Sequence, residues 1–246
     1  MFPLLQLGPF AIQVPGLILL ISLYIALSIA EKEARRIDQS ADAVYGIVFT
    51  ALIGGIVAGR LAYVGRYLEA YRDELIGIIS LNASTIDPVA GVVVGLFLAL
   101  IYGRWKKLPL RPTLDVLAPG LAFFAIGFGL AHLSSGNAFG MPTQLPWAID
   151  LWDAQRHPTQ IYEMLLATVV FVVIWFIRKD SLLPGFLFLA WLVMASASRL
   201  FLEAFRGDSV VVAGGVREVQ LIALTAILLG LLLIGQWGRT SAPTAS

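Results

Sequence analysis

His132 and His157 are the only imidazoles in this 246-residue chain, and both fall inside one stretch, Gly127 to Glu163. There an apolar helix gives way to Gly, Ser, Asn, Pro and Trp, followed by the compact run Arg156-His157-Pro158-Thr159-Gln160-Ile161-Tyr162-Glu163. Imidazole exchanges protons near neutrality, and beside a carboxylate it can act as a general base. Pro158 fits the first turn of a helix, which puts His157 next to the N-cap and Tyr162 and Glu163 within the first two turns. The free N–H groups of such a helix start favour an anion. Two readings stay open: an interfacial histidine capping a helix, or a catalytic one at the mouth of a lipid-facing cavity.

A second group is Arg199, Glu203 and Arg206. The i, i+4, i+7 spacing predicts one face of one helix, near its end. It reads either as a salt-bridged helix terminus or as a net positive site for an anionic headgroup, with Glu203 orienting the arginines. Arg60, late in another apolar helix, either snorkels to the headgroups or turns inward, where the planar two-pronged guanidinium suits a phosphate. Gly136-Asn137-Ala138-Phe139-Gly140 reads as a tight non-helical connection.

The elements that must position these groups are membrane spans. The chain is 59% hydrophobic and 13% charged, with a mean hydropathy of +0.85. Soluble domains carry about a quarter charged residues, and apolar runs of roughly 20 residues, long enough to cross a bilayer core, recur here. The expected fold is all-α and polytopic, with about seven transmembrane helices in a single domain over 1–237 and a disordered cytoplasmic tail over 238–246. The spans are expected near Phe10–Ala30, Val44–Tyr63, Pro88–Tyr102, Leu114–Leu133, Thr159–Lys179, Gly185–Phe205 and Glu218–Trp237. Residues between Arg66 and Asp87 read as an outer-face interfacial segment or lid. Met1 to Val14 holds no Lys or Arg, so the first span reads as retained rather than as a cleaved signal.

Lys32, Arg35, Arg36, Arg104, Lys106, Lys107, Arg111, Arg178, Lys179 and Arg239 fall on one side of this topology. Arg66, Arg72, Arg156, Arg206 and Arg217 fall on the other. By the positive-inside rule the N-terminus is outside, the tail is cytoplasmic, and the polar stretches share the outer face. The absence of cysteine excludes disulfides and a thiolate nucleophile. Two histidines and scattered carboxylates speak against a metal site, no cofactor is called for, and nothing in the charge pattern suggests nucleic acid.

RHPTQIYE resembles the RHPSQLYE run of the bacterial prolipoprotein diacylglyceryl transferases, and Gly140 ahead of Leu145-Pro146-Trp147 is similar to the end of that family's glycine-rich signature. Arg199-Leu200-Phe201-Leu202-Glu203-Ala204-Phe205-Arg206-Gly207-Asp208 resembles RF-x-x-EFFR-x-PD, and Gly59-Arg60-Leu61-Ala62-Tyr63-Val64 resembles GxRLGYV. Four blocks match in order over nearly the whole chain. The resemblance implies a plasma (inner) membrane enzyme that moves the diacylglyceryl group of phosphatidylglycerol onto the lipobox cysteine in a lipoprotein precursor's signal peptide, releasing glycerol 1-phosphate. It implies a phosphate site at Arg60, Arg199 and Arg206, a base at His157 or His132, and supporting roles for Glu203, Gly136, Asn137, Gly140, Gln160, Tyr162 and Glu163.

The chain departs from the pattern at the signature GR-x-GNF-x-NGE. Its arginine falls on Gly129, its first asparagine on His132 and its glutamate on Asn137. The family's His-Gly-Gly falls around Val89-Ala90-Gly91, and the tyrosine of its WYGL run falls on Pro15. Two functions are therefore carried forward: a divergent transferase, or a homologue that binds anionic phospholipid headgroups or acylates another acceptor.

Overall fold

The computed structural model describes residues 4–7, 10–72, 75–79, 85–179, 183–212 and 215–240. Seven helices dominate: α1 Val14–Arg36, α2 Ala41–Arg66, α3 Pro88–Trp105, α4 Leu110–Ser135, α5 Thr159–Ile177, α6 Phe186–Glu203 and α7 Glu218–Thr240. Each is long and apolar enough to cross a membrane. Large apolar side chains such as Phe97, Phe176 and Leu232 stand exposed along them, as lipid-facing positions do. The chain is a polytopic α-helical membrane protein.

Several boundaries differ from expectation. Helix α1 starts at Val14 and runs on through Glu31-Lys32-Glu33-Ala34-Arg35-Arg36, because Glu33 and Ala34 are buried and hold that last turn in place. Phe10–Gln13 instead forms a strand, β2, antiparallel to β1 at Leu4–Leu7. Residues between Arg66 and Asp87 form 3₁₀ turns at Leu68–Tyr71 and Leu75–Ile79. Pro158 is the N-cap of α5 rather than its first residue. The tail beyond 240 lies outside the described residues.

Contacts divide the chain into two compact units, one of residues Ala34–Thr113, the other of Met1–Glu33 with Leu114–Ser246. In the first, α2 and α3 cross with their backbones touching. A Cβ on Gly55 would stand 2.9 Å from the Gly91 carbonyl oxygen, and one on Gly91 would stand 2.9 Å from that of Gly55. Lipid gives apolar helices little hydrophobic reason to pair, so close van der Waals approach through small residues holds them together. Ser40 caps α2 by accepting from Ala43 N at 3.2 Å, and Asp87 caps α3 by accepting from Ala90 N at 3.0 Å.

In the second unit, Ala118 and Ala122 of α4, Val170 and Ile174 of α5 and Leu187 of α6 form the core. Asp115 ties α4 to the start of α6 by accepting from the backbone N–H groups of Gly185 and Phe188. Gly185 takes φ +92°, a left-handed turn that glycine enters without a steric penalty. Arg178, the C-cap of α5, pairs with buried Glu33 of α1 at 2.9 Å and stacks on Trp175.

Candidate functional site

Between α4 and α5 the chain forms a loop and the hairpin β3 (Ile149–Leu151) and β4 (Ala154–Arg156). Six consecutive loop carbonyls, 136 to 141, each accept a hydrogen bond. Gly136 O takes one from Trp152 Nε1, Asn137 O from Gln160 Nε2, Ala138 O from Thr159 Oγ1 and Gly140 O from Arg156 Nη1. Phe139 O accepts from Gly207 N, and Met141 O from His157 N. Four of the six donors come from the run Arg156 to Gln160. That run is a clasp: its polar groups hold the loop in place. Arg156 also donates from Nε to Leu151 O and covers the Phe139 ring.

The clasp explains two local oddities. Trp152 and Asp153, at the hairpin turn, both take φ above +50°, a conformation L-residues enter at a cost of about 1–2 kcal/mol each. The Trp152 indole bond to Gly136 and the Arg156 bond across the hairpin hold them there. Gly140 has no room for a side chain, since a Cβ would come within 2.3 Å of His157 O.

Past the clasp, α4 and α5 meet at two functional groups. His132 Nδ1 lies 2.8 Å from Glu163 Oε2, with both side chains mostly buried. Phe128, one turn earlier, packs edge-on against the imidazole at 4.4 Å. Because Nδ1 is held by the carboxylate, Nε2 is the nitrogen left to take or give a proton. His157 sits differently. Its ring lies against Phe205 and Tyr162, and its Nδ1 is buried with no partner among the described residues. The Tyr162 hydroxyl accepts from Trp147 Nε1 at 2.7 Å.

A cleft of about 100 Å³ lies among α4, α5 and α6. Its deeper walls are small and apolar: Ala122, Ala125, Ala167, Val170 and Ala195, with Trp191. Glu163, Ser198 and Arg199 bring polar groups to it. Arg199 makes no hydrogen bond among the described residues, and it pairs with Glu203 Oε2 at 3.6 Å. Glu203 is fully buried, and neither of its carboxylate oxygens has a hydrogen-bond partner there. Arg199 therefore lines the cleft with its donors free of hydrogen bonds among the described residues, an arrangement suited to an anion.

The other two predicted phosphate ligands are occupied. Helix α6 ends at Glu203, so Arg206 lies beyond it rather than on its face. It pairs through two hydrogen bonds with Asp208, at 2.9 and 2.8 Å. Arg60, in the other unit, is buried, and donates from Nε to Ile78 O at 2.9 Å and from its two terminal nitrogens to Thr85 O and Gly77 O. Tyr63 and Tyr71 lie under its charge. Asn137 is exposed, while Gln160 is fully buried with Oε1 unpartnered among the described residues.

Comparison with known proteins places this geometry. A model of the family described as prolipoprotein diacylglyceryl transferase matches residues 3–235. The chain belongs to that family. It is 30% identical to the phosphatidylglycerol–prolipoprotein diacylglyceryl transferase of Trichormus variabilis, over 93% of this chain and 86% of that one. To the enzymes of the same name from Synechococcus elongatus and Clostridioides difficile it is 26% and 25% identical, over 93% and 88% of this chain and 84% and 87% of theirs. Family membership supports a diacylglyceryl transferase-type activity for the chain in general.

The signature position that falls on Gly129 is closed in this member. A Cβ there would stand 2.8 Å from Met164 Cγ and 3.2 Å from Met164 N, so α5 fills the space an arginine would need. One turn later on α4, His132 meets Glu163, the residue before Met164 on α5. Arg156, Thr159, Trp147, Trp152 and Arg217 were not among the residues expected at the site. Their contacts depend on loop closure, and only Asp208, two residues from Arg206, had a spacing that could have flagged its role.

Proposed function

We propose that this chain transfers the diacylglyceryl group of phosphatidylglycerol to the lipobox cysteine of a lipoprotein precursor, with His132 as the base. The supporting observation is the His132–Glu163 pair beside a cleft that also presents Arg199. The lipid's phosphate binds Arg199, which buried Glu203 keeps in place, and an acyl chain enters the alanine-lined part of the cleft. His132 Nε2 takes the proton of the cysteine thiol. The thiolate attacks the glyceryl carbon bonded to the phosphate oxygen, a C–S bond forms and the C–O bond breaks. Glycerol 1-phosphate leaves with the electron pair, its charge met by Arg199. Glu163 stabilises the imidazolium, and Gly136, Asn137, Gly140, Gln160 and Tyr162 hold or flank the loop beside the headgroup. Arg206 contributes positive charge near the end of α6, and Arg60 holds local structure within its own unit. This reading places the site on the outer face of the bacterial plasma membrane, with the N-terminus outside and the C-terminus cytoplasmic.

The test is thioether formation on a lipobox peptide by the purified chain in phosphatidylglycerol-containing nanodiscs, read by mass. The transferase reading requires activity in the wild type. The choice of base requires its loss, by about 10²-fold or more, in His132→Ala, with a smaller effect in His157→Ala. Equal rates in His132→Ala and wild type would remove the dyad from the reaction.

Gly129, sealed by Met164, favours one alternative: a homologue that binds anionic headgroups without thiol transfer. Selective binding of phosphatidylglycerol with no thioether product would establish that reading instead.

A further inference from the structure

We propose that Arg217, at the entrance to α7, is a positioning residue that fixes the end of α6 and, through it, the Arg199–Glu203 pair at the cleft. This rests on the reading of Arg199 as the anionic-headgroup ligand, and it adds a residue that neither motif matching nor helical spacing would select.

The last carbonyls of a helix have no partners within it. At the end of α6 two of them are met by a tight turn: Ala204 N donates to Phe201 O at 3.2 Å and Phe205 N to Leu202 O at 3.0 Å. Among the described residues, Glu203 O and Arg206 O receive no backbone donor. Both are reached by a single nitrogen, Arg217 Nη1, which also lies 3.5 Å from Ser209 Oγ. Nη2 contacts Met141 Sδ at 3.6 Å, on the clasped loop whose Met141 N donates to Phe205 O. The Arg217 backbone is itself anchored, with N–H donating to Gln220 Oε1 and the residue bridged to Val211. A cation at a helix C-terminus also suits the negative end of the dipole.

The consequence falls on Glu203. Its carboxylate is fully buried and accepts no hydrogen bond among the described residues. Besides packing and the ion pair with Arg199, its location is set by its own backbone, whose carbonyl Arg217 holds. Loss of that hold lets the last turn of α6 fray, and the partner that orients Arg199 moves.

The experiment compares wild type, R217Q and R217K in detergent, measuring affinity for short-chain phosphatidylglycerol and for phosphatidylcholine as the neutral control, with thermal melting alongside. R217Q is expected to weaken phosphatidylglycerol binding about tenfold, with phosphatidylcholine binding unchanged. R217K should recover most of the loss, because one ammonium can serve both carbonyls that Nη1 serves. Hydrogen exchange at residues 203–207 should quicken in R217Q alone. Unchanged phosphatidylglycerol affinity in R217Q overturns the inference while leaving the headgroup reading intact. Equal loss for both lipids, unrescued by lysine, also overturns it, by reducing Arg217 to a general stabiliser. A wild type without preference for phosphatidylglycerol defeats the headgroup reading itself, and the inference with it. Where R217Q does not fold, the lysine variant and its exchange rates decide.

Discussion

Arg60 and Arg199 look alike in sequence, each an arginine one or two turns from the end of an apolar helix, but the structure uses them in opposite ways. Arg60 spends its donors on three backbone carbonyls, those of Gly77, Ile78 and Thr85, and holds a segment of its own unit in place. Among the described residues Arg199 makes one ion pair, at 3.6 Å, and lines a cleft. Within the second unit the same contrast recurs, between the loop 136–141, where every carbonyl is satisfied, and Glu203, whose carboxylate oxygens accept no hydrogen bond among the described residues. Saturated polar groups build the scaffold. Arg199, which lines the cleft with no hydrogen bond among the described residues, marks the place where an anionic ligand can bind.

The largest expected effect lies in the saturated region. Gly140→Ala puts a Cβ against backbone that cannot yield, and should destabilise the protein by about 3 kcal/mol or more, read as a lowered thermal midpoint in detergent. Next is a paired lysine exchange. Arg60→Lys leaves at least one of three carbonyls without a donor and should cost about 2–3 kcal/mol of stability, with faster proteolysis around residues 75–85. Arg199→Lys keeps the charge beside Glu203 and should change stability by less than about 1 kcal/mol, yet weaken phosphatidylglycerol binding roughly tenfold through loss of the fork. Were the two exchanges to give the same pattern, the division into scaffold and ligand-facing arginines would collapse.

The smallest effect concerns pH. The Ala90 backbone N–H, followed by the Arg66 guanidinium 2.8 Å away, holds the Asp87 carboxyl below the usual carboxylate range despite the opposing effect of burial. A lowered native pKa makes this contribution to stability complete above the ordinary value of about 3.9 and progressively lost as pH falls toward the native one. Thermal melting below about pH 4.5 should therefore fall more steeply in wild type than in Asp87→Asn. Parallel curves would show that the cap adds no acid dependence.

Seven spans and the family were legible in the chain because both depend on local pattern: apolar runs of membrane length, and short blocks in a fixed order. The i, i+4 pairing of Arg199 with Glu203 was legible for the same reason. Arg206 was not, because helical spacing cannot reveal that α6 stops at Glu203 and turns. Nor could spacing reveal that Arg156, Thr159 and Gln160 act on the loop carbonyls, since those partners are 16 to 23 residues away in sequence.

By itself the sequence determined the membrane class, the helices and the list of polar groups available for chemistry, all of which follow from local composition and period. Only tertiary structure decided which of those groups are free. It placed His132, rather than His157, against a carboxylate, closed Gly129 with Met164 and left Arg199 open. A side chain's availability depends on which backbone groups lie within about 3 Å of it, and those are brought there by chain closure that no local pattern records.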